Sequence, residues 1–260
     1  MGKVDLDALR KKHEALQSGK TGGGGQDFLK NFVQLEEGTT TLRILPPKGE
    51  NDPLFYAETK IHRIGEGENV KNFHCRKVHN EKCPLCDAYY KLWDYSKKTG
   101  KDGKDQYATL ARLIKPRERY YLNVAVRPAN EVKILSIGQI VFKKILNTMM
   151  DPDYGDITDL KTGYDFKIVK EMDGGFPKYD QSSPRPKSSP AGTGQEIAAF
   201  MESLHDIHSL VKLEDFEEMR KSAEILLTEI GISTTNHTPK IMSSDDEDGP
   251  ETNYLNKLKG

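Results

Sequence analysis

The stretch His74-Cys75-Arg76-Lys77-Val78-His79-Asn80-Glu81-Lys82-Cys83-Pro84-Leu85-Cys86 holds all three cysteines of the 260-residue chain. Cys83 and Cys86 form a Cys-x2-Cys pair, which brings two sulfurs within reach of one tetrahedral zinc at about 2.3 Å from each. Cys75 lies eight residues upstream of the pair, and His62, His74 and His79 compete to supply a fourth ligand. Three cysteines cannot all pair as disulfides, and their clustering in a chain without a signal peptide fits reduced thiols on a metal. A redox Cys-x2-Cys, or three incidental thiols, would leave the histidines unexplained. A closed Cys3His shell has no open position for water, so one structural zinc ion is expected. Metal binding worth about 10–16 kcal/mol can hold together a loop with little core of its own. The stretch therefore predicts a metal-stapled subdomain, at about residues 60–95, inserted into a larger fold.

Working outward, short strands surround the insertion. Thr39-Thr40-Thr41-Leu42-Arg43-Ile44-Leu45 reads as a strand stopped by Pro46-Pro47. Residues 120–126 read as a second, which turns at Arg127-Pro128-Ala129-Asn130 into a third, 132–137; residues 165–169 read as a fourth. Residues 139–150 suit a helix with Ile140, Ile145 and Met149 inward. Short strands with one interposed helix predict an α+β fold built on a small barrel of the OB type. Residues 181–195, rich in Ser, Pro and Gly, read as a mobile loop. Two amphipathic helices follow: Ile197, Phe200, Met201, Leu204 and Val211 line one, Phe216, Met219, Ala223, Leu226 and Ile230 the other, with Gly231 as its cap.

The ends read differently. Residues 4–17 suit a short amphipathic helix beside the basic cluster Arg10, Lys11 and Lys12, and Gly22-Gly23-Gly24-Gly25 forms a hinge after it. A helix of that length is marginal alone, so a docking arm over residues 1–22 is expected. The core is placed at 23–235, and a flexible tail at 236–260 carries Ser243-Ser244-Asp245-Asp246-Glu247-Asp248. No apolar run approaches bilayer length, so a soluble protein of a reducing cytoplasm is expected.

The net charge of −1 conceals a segregation. Residues 60–150 hold 19 Lys/Arg against 9 Asp/Glu, and residues 195–260 hold 6 against 14. A basic body and an acidic end suit a polyanion ligand and a segment that competes with it or recruits proteins. The basic region is interleaved with Tyr89, Tyr90, Trp93, Tyr95, Tyr107, Tyr120, Tyr121 and Phe142, among cations that include Arg112, Lys115, Arg117, Arg119, Lys143 and Lys144. Single-stranded nucleic acid needs this mixture, because cations track phosphates while rings stack unpaired bases at about 1–3 kcal/mol each. Tyr120 and Tyr121 are adjacent on a strand and point to opposite faces, so about half of these rings are expected to be core.

The His62…Cys75…Cys83-Pro84-Leu85-Cys86 pattern, with Tyr120-Tyr121-Leu122-Asn123 and Phe142-Lys143-Lys144-Ile145 after it, resembles the single-stranded DNA-binding protein of T4-type bacteriophages. Tyr95 is similar to that family's aromatic after the last cysteine, and Phe176-x-x-Tyr179-Asp180 resembles a late base-stacking segment. The resemblance runs from about residue 39 to 231. It implies His62, Cys75, Cys83 and Cys86 as zinc ligands, and a cooperative coat on single strands during replication, recombination and repair. It also implies self-association through the N-terminal arm, an acidic tail that contacts phage replication and recombination proteins, and the cytoplasm of the infected bacterial host as the place of action. Arg10-Lys11-Lys12 stands where the family has a different basic motif. The loop between Cys75 and Cys83 is two residues shorter and lacks a tyrosine the family carries there.

Catalysis is not expected. No His-x-Glu precedes the Cys-Pro-x-Cys run as a deaminase requires, no phosphate loop is present, and Asp87, Asp94, Asp102 and Asp105 read as surface residues rather than a two-metal cluster. The competing reading is a zinc-ribbon adaptor that binds protein, which leaves the aromatic–basic interleaving without a role.

Overall fold

The computed structural model describes residues 29–49, 54–65, 70–101 and 103–232. The basic arm and the acidic tail lie outside the described residues.

Long-range pairing is organised by one central strand. β1 (Gly38–Ile44), β2 (Tyr56–Ile64) and β3 (Lys71–His74) precede two helices, α1 (Pro84–Thr99) and α2 (Gln106–Ile114). Then come β4 (Arg117–Val126), β5 (Glu131–Ile137), α3 (Gln139–Met150), β6 (Asp165–Asp173), β7 (Phe176–Lys178), β8 (Ser183–Pro184), α4 (Gly194–Glu202) and α5 (Phe216–Glu229). The ten-residue β4 carries β5 along one edge. Its other edge takes β2 against Arg117–Leu122 and β1 against Val124–Val126. Two strands meeting end to end on one edge curl the antiparallel sheet, of order β3-β2-β4-β1-β6-β7, into a half-barrel. The expected α+β fold on an OB-like barrel with an inserted subdomain is the one observed.

The two faces of the sheet are buried differently. Leu42, Ile44, Tyr120, Leu122, Val124, Leu135 and Phe166 share the concave face and are covered by Val141, Phe142 and Ile145 of α3. On the reverse face Arg43 is fully buried. Its guanidinium donates to Asp165 Oδ1 at 3.0 Å and to Ser189 O and Oγ at 2.8 and 2.9 Å. That anchor, with the Ala191 amide donating to Leu160 O, pins the segment expected to be mobile, and Ser183–Pro184 joins the sheet against β6.

Two helix expectations shift and a third holds. In α3 the buried positions are Val141, Phe142, Ile145 and Thr148, and Ile140 points to solvent at 63% exposure. A parallel stack of Phe142 on Tyr120, with centroids 3.7 Å apart, accompanies this phase. The first C-terminal helix ends at Glu202 rather than running to Val211. Asn123 of β4 clasps the next turn of chain, donating from Nδ2 to His205 O and accepting from the His205 amide, both at 2.9 Å. These bonds satisfy backbone groups outside a helix, and Leu204 and Ile207 are buried in the segment beyond it. α5 agrees with its reading: Gly231 sits at φ +74° and the Ile232 amide bonds Leu227 O, a glycine C-terminal cap.

Candidate metal centre and nucleic-acid interface

Each of the four cluster residues is placed by backbone bonds. The Cys75 amide donates to Lys60 O at 2.7 Å, which fixes it beside β2. Cys83 is the extended residue before α1, Pro84 opens that helix, and Cys86 lies in its first turn. Proline suits a first helical position because its missing N–H is not needed there. Two sulfurs therefore stand at the positive end of the helix dipole, which favours thiolates. Asn80, in the left-handed conformation at φ +59°, turns the intervening loop back toward Cys83.

His62, Cys75, Cys83 and Cys86 are all buried, with one ligand atom of each within 4.8 Å of the others. His62 Nε2 lies 3.4 Å from Cys83 Sγ and 3.5 Å from Cys86 Sγ, and the Cys75 and Cys86 sulfurs are 3.5 Å apart. A tetrahedral cation at about 2.3 Å from sulfur and 2.0–2.1 Å from nitrogen requires edges of about 3.6–3.8 Å, so these distances match that shell closely. His62 Nδ1 donates to Ile114 O at 2.7 Å, which leaves the Nε2 lone pair facing the sulfurs. The four residues could hold one metal ion. His74 is instead tied to Thr59 Oγ1 through Nδ1 at 2.9 Å, and His79 is exposed.

The four groups are electrostatically coupled. Burial acts to lower the His62 imidazole, but hydrogen bonds with Cys75 and Cys83 and the Ile114 carbonyl outweigh it and raise it to about 9. Hydrogen bonds from Cys75 and Cys86 push Cys83 down, while hydrogen bonds with Cys75 and Cys83 push Cys86 up. Without an ion these four groups share protons with one another, and a metal ion would displace those protons, taking His62 neutral and the sulfurs as thiolates.

The aromatic residues separate into groups that the sequence could not assign. Tyr120 and Phe142 stack at an interplanar angle of 10°, and Tyr56 packs edge-on to Phe142 at 4.7 Å, with Phe55 5.3 Å from Tyr56. Tyr120 and Phe142 are buried, whereas Phe55 and Tyr56 are half-exposed. Burial, then the Glu58 and Glu118 carboxylates, push the Tyr120 phenol up to about 12, and it donates to Glu118 Oε2 at 3.3 Å. Tyr121 faces the other side, buried among Ala57, Ile134 and Ile207 with its ring 6.3 Å from Phe32. On α1, Tyr95 lies 5.6 Å from Tyr107, with Lys98 Nζ 5.0 Å over its ring. Phe176 is 75% exposed at the tip of the β6–β7 hairpin, and Tyr179 packs half-buried against the barrel core.

Among the expected cations, Arg112, Arg117 and Lys143 are exposed, while Lys115 and Arg119 are half-buried. Lys144 Nζ donates to Asp180 O at 2.8 Å. Asp105 is not the surface residue expected: it is 8% exposed and caps α2. Asp102 lies outside the described residues. Phe55 and Tyr56 had no place in the sequence reading because β2 was not recognised. The available signal was the alternation of Ala57 and Thr59 with Glu58 and Lys60.

A curled antiparallel half-barrel with an aromatic group and a Cys3His subdomain is an architecture of the kind that binds single-stranded nucleic acid in OB folds. The family described as gp32 DNA binding protein like matches residues 36–228, and the chain belongs to that family of non-enzymatic single-stranded DNA-binding proteins. A comparison with curated proteins finds no match. No helix of the described residues is long and apolar enough to cross a membrane.

Proposed function

We propose that this single-stranded DNA-binding protein coats exposed strands cooperatively during phage replication, recombination and repair, in the cytoplasm of the bacterial host. The observation that carries the proposal is the family match, which spans the barrel and all four metal-cluster residues. Zinc at His62, Cys75, Cys83 and Cys86 is the structural staple, because the shell has four protein donors and is buried. Bases stack at the half-exposed edge formed by Phe55 and Tyr56 on the Tyr120–Phe142 pair, at Tyr95 and Tyr107, and at Phe176 with Tyr179. Arg112, Lys115, Arg117, Arg119, Lys143 and Lys144 neutralise phosphates. Glu58 and Glu118 border the barrel rings, which suits that patch to bases rather than phosphates. Tyr121 serves the core. Arg10, Lys11 and Lys12 take part in self-association, and the acidic tail recruits replication and recombination proteins. Binding the single strand and not the duplex lowers the melting temperature of DNA by mass action.

The test is quenching of the single tryptophan, Trp93, and the tyrosines on titration with poly(dT), against duplex at equal phosphate, at two salt concentrations. Strong quenching by the single strand that weakens with salt is expected. Equal weak binding to both nucleic acids would sink the proposal. Phe176→Ala suits the follow-up better than Phe142→Ala, since Phe142 is buried and its truncation costs about 3–5 kcal/mol of stability.

A further inference from the structure

α1 presents a second aromatic row, on a side of the helix away from Tyr95. Trp93 and Tyr95 are two residues apart, hence about 200° apart around the helix axis. The Tyr89 ring lies 5.1 Å from Tyr90 and 6.4 Å from Trp93, both edge-on, so three rings form a continuous ridge. A cation sits over each end: Lys77 Nζ is 5.0 Å above the Tyr90 ring and the Arg112 guanidinium 5.4 Å above Trp93. Tyr90 is 55% exposed, whereas Tyr89 and Trp93 are half-buried against the metal-subdomain core. Arg112 is held over the indole by donating to Gly103 O at 2.9 Å, and a side chain at position 103 would meet both Arg112 and Trp93. Residues 76–112 carry nine Lys/Arg against five Asp/Glu, so the ridge lies in a cationic field.

We propose that the Tyr89–Tyr90–Trp93 ridge, flanked by Lys77 and Arg112, is a second contact surface for single-stranded DNA on the outer side of the metal subdomain. The inference rests on the single-strand-binding reading and adds to it a site reached only by a strand that has already filled the barrel. Spacings of 5.1 and 6.4 Å between rings suit an extended strand that places successive bases on successive rings. The cations at the two ends meet its phosphates. Such a surface lengthens the footprint of each protein, with Arg112 the cation it shares with the first site.

The experiment compares the protein with its Tyr90→Ala and Lys77→Gln variants on oligo(dT) of about 6 and about 20 nucleotides, one within and one beyond the length of about 4–16 nucleotides that one OB fold takes. Both substitutions lie on exposed side chains, and equal melting temperatures verify folding. Tyr90→Ala is expected to bind the longer strand about tenfold more weakly and the shorter one as before, the loss of one stacked base. Lys77→Gln is expected to reduce the salt slope on the longer strand by about 0.7. Variants that match the parent at both lengths overturn the proposal and leave the ridge to packing or to a protein partner. Equal weakening at both lengths also overturns it, because the ridge then belongs to the first site. A parent chain that binds neither oligonucleotide overturns the underlying reading and this proposal with it.

Discussion

The carboxylate of Asp105 accepts from Ser96 Oγ at 2.8 Å, Thr99 Oγ1 at 2.6 Å and the Ala108 amide at 2.8 Å. One side chain thus caps α2 and ties it to the end of α1, across a turn whose Gly100 is left-handed at φ +63°. The bond from Thr99 leads the set that holds its pKa down to about 2. Because the folded value lies below the ordinary carboxylate value of about 3.9, the stabilisation is present above that value and is lost as pH falls toward 2. Asp105→Asn is therefore expected to lower the urea midpoint at neutral pH, and the gap to the parent is expected to close between about pH 4 and pH 2. A gap that persists unchanged at the acid end would show that the charge plays no part. In the sequence the same residue was one acid among several in a basic stretch. Its burial depends on where two helices cross, which no local pattern encodes.

At the scale of elements, the metal cluster depends on a helix more than a hundred residues away. Met219, Ala223 and Leu227 of α5 pack into one core with Phe73, Leu85, Leu92, Ala111 and Ile114, around the cysteines. Glu214 accepts from the His74 amide at 3.2 Å, Arg76 donates to Glu214 O, and the Arg76 guanidinium lies 5.5 Å over the Phe216 ring. The subdomain is thus closed by chain that follows the barrel, in addition to whatever ion its four donors could hold. Met219→Ala is expected to cost about 2–5 kcal/mol and to let a chelator strip the metal at lower concentration. Parallel melts with and without chelator check this, and unchanged metal retention in a folded variant would sever the link between α5 and the site. The amphipathic stripe of α5 was plain in the sequence. Its partner was not, because a stripe states that a face is buried without stating against what.

Over the whole molecule, the separation of charge sets a competition. The region 60–150 has a surplus of ten positive charges, and residues 245–251 add five carboxylates near the end of the chain. The last described residue, Ile232, is buried with the metal-subdomain core and lies thirteen residues before Asp245 in the sequence. Deleting residues 241–260 is expected to raise affinity for oligo(dT) at low salt, with the difference fading as screening grows. Equal affinities of the two forms at low salt would remove the tail from the competition.

What the sequence by itself determined is chemistry that depends on spacing and residue type. Cys75, Cys83 and Cys86 could be read as ligands because thiolates at short separations in one chain can reach one ion, and residues 39–45 and 120–126 could be read as strands from their local composition. The resemblance singled out His62 among three histidines, and the structure places it with the sulfurs. Only the tertiary structure decided which of two adjacent tyrosines enters the aromatic stack, that Phe55 and Tyr56 join it, that Asn123 ends α4 by clasping His205, and that α5 closes the metal subdomain. Each of these outcomes depends on contacts between residues distant in the chain. A local sequence pattern reports the face a residue occupies, and the partner across that face is set by how the sheet curls.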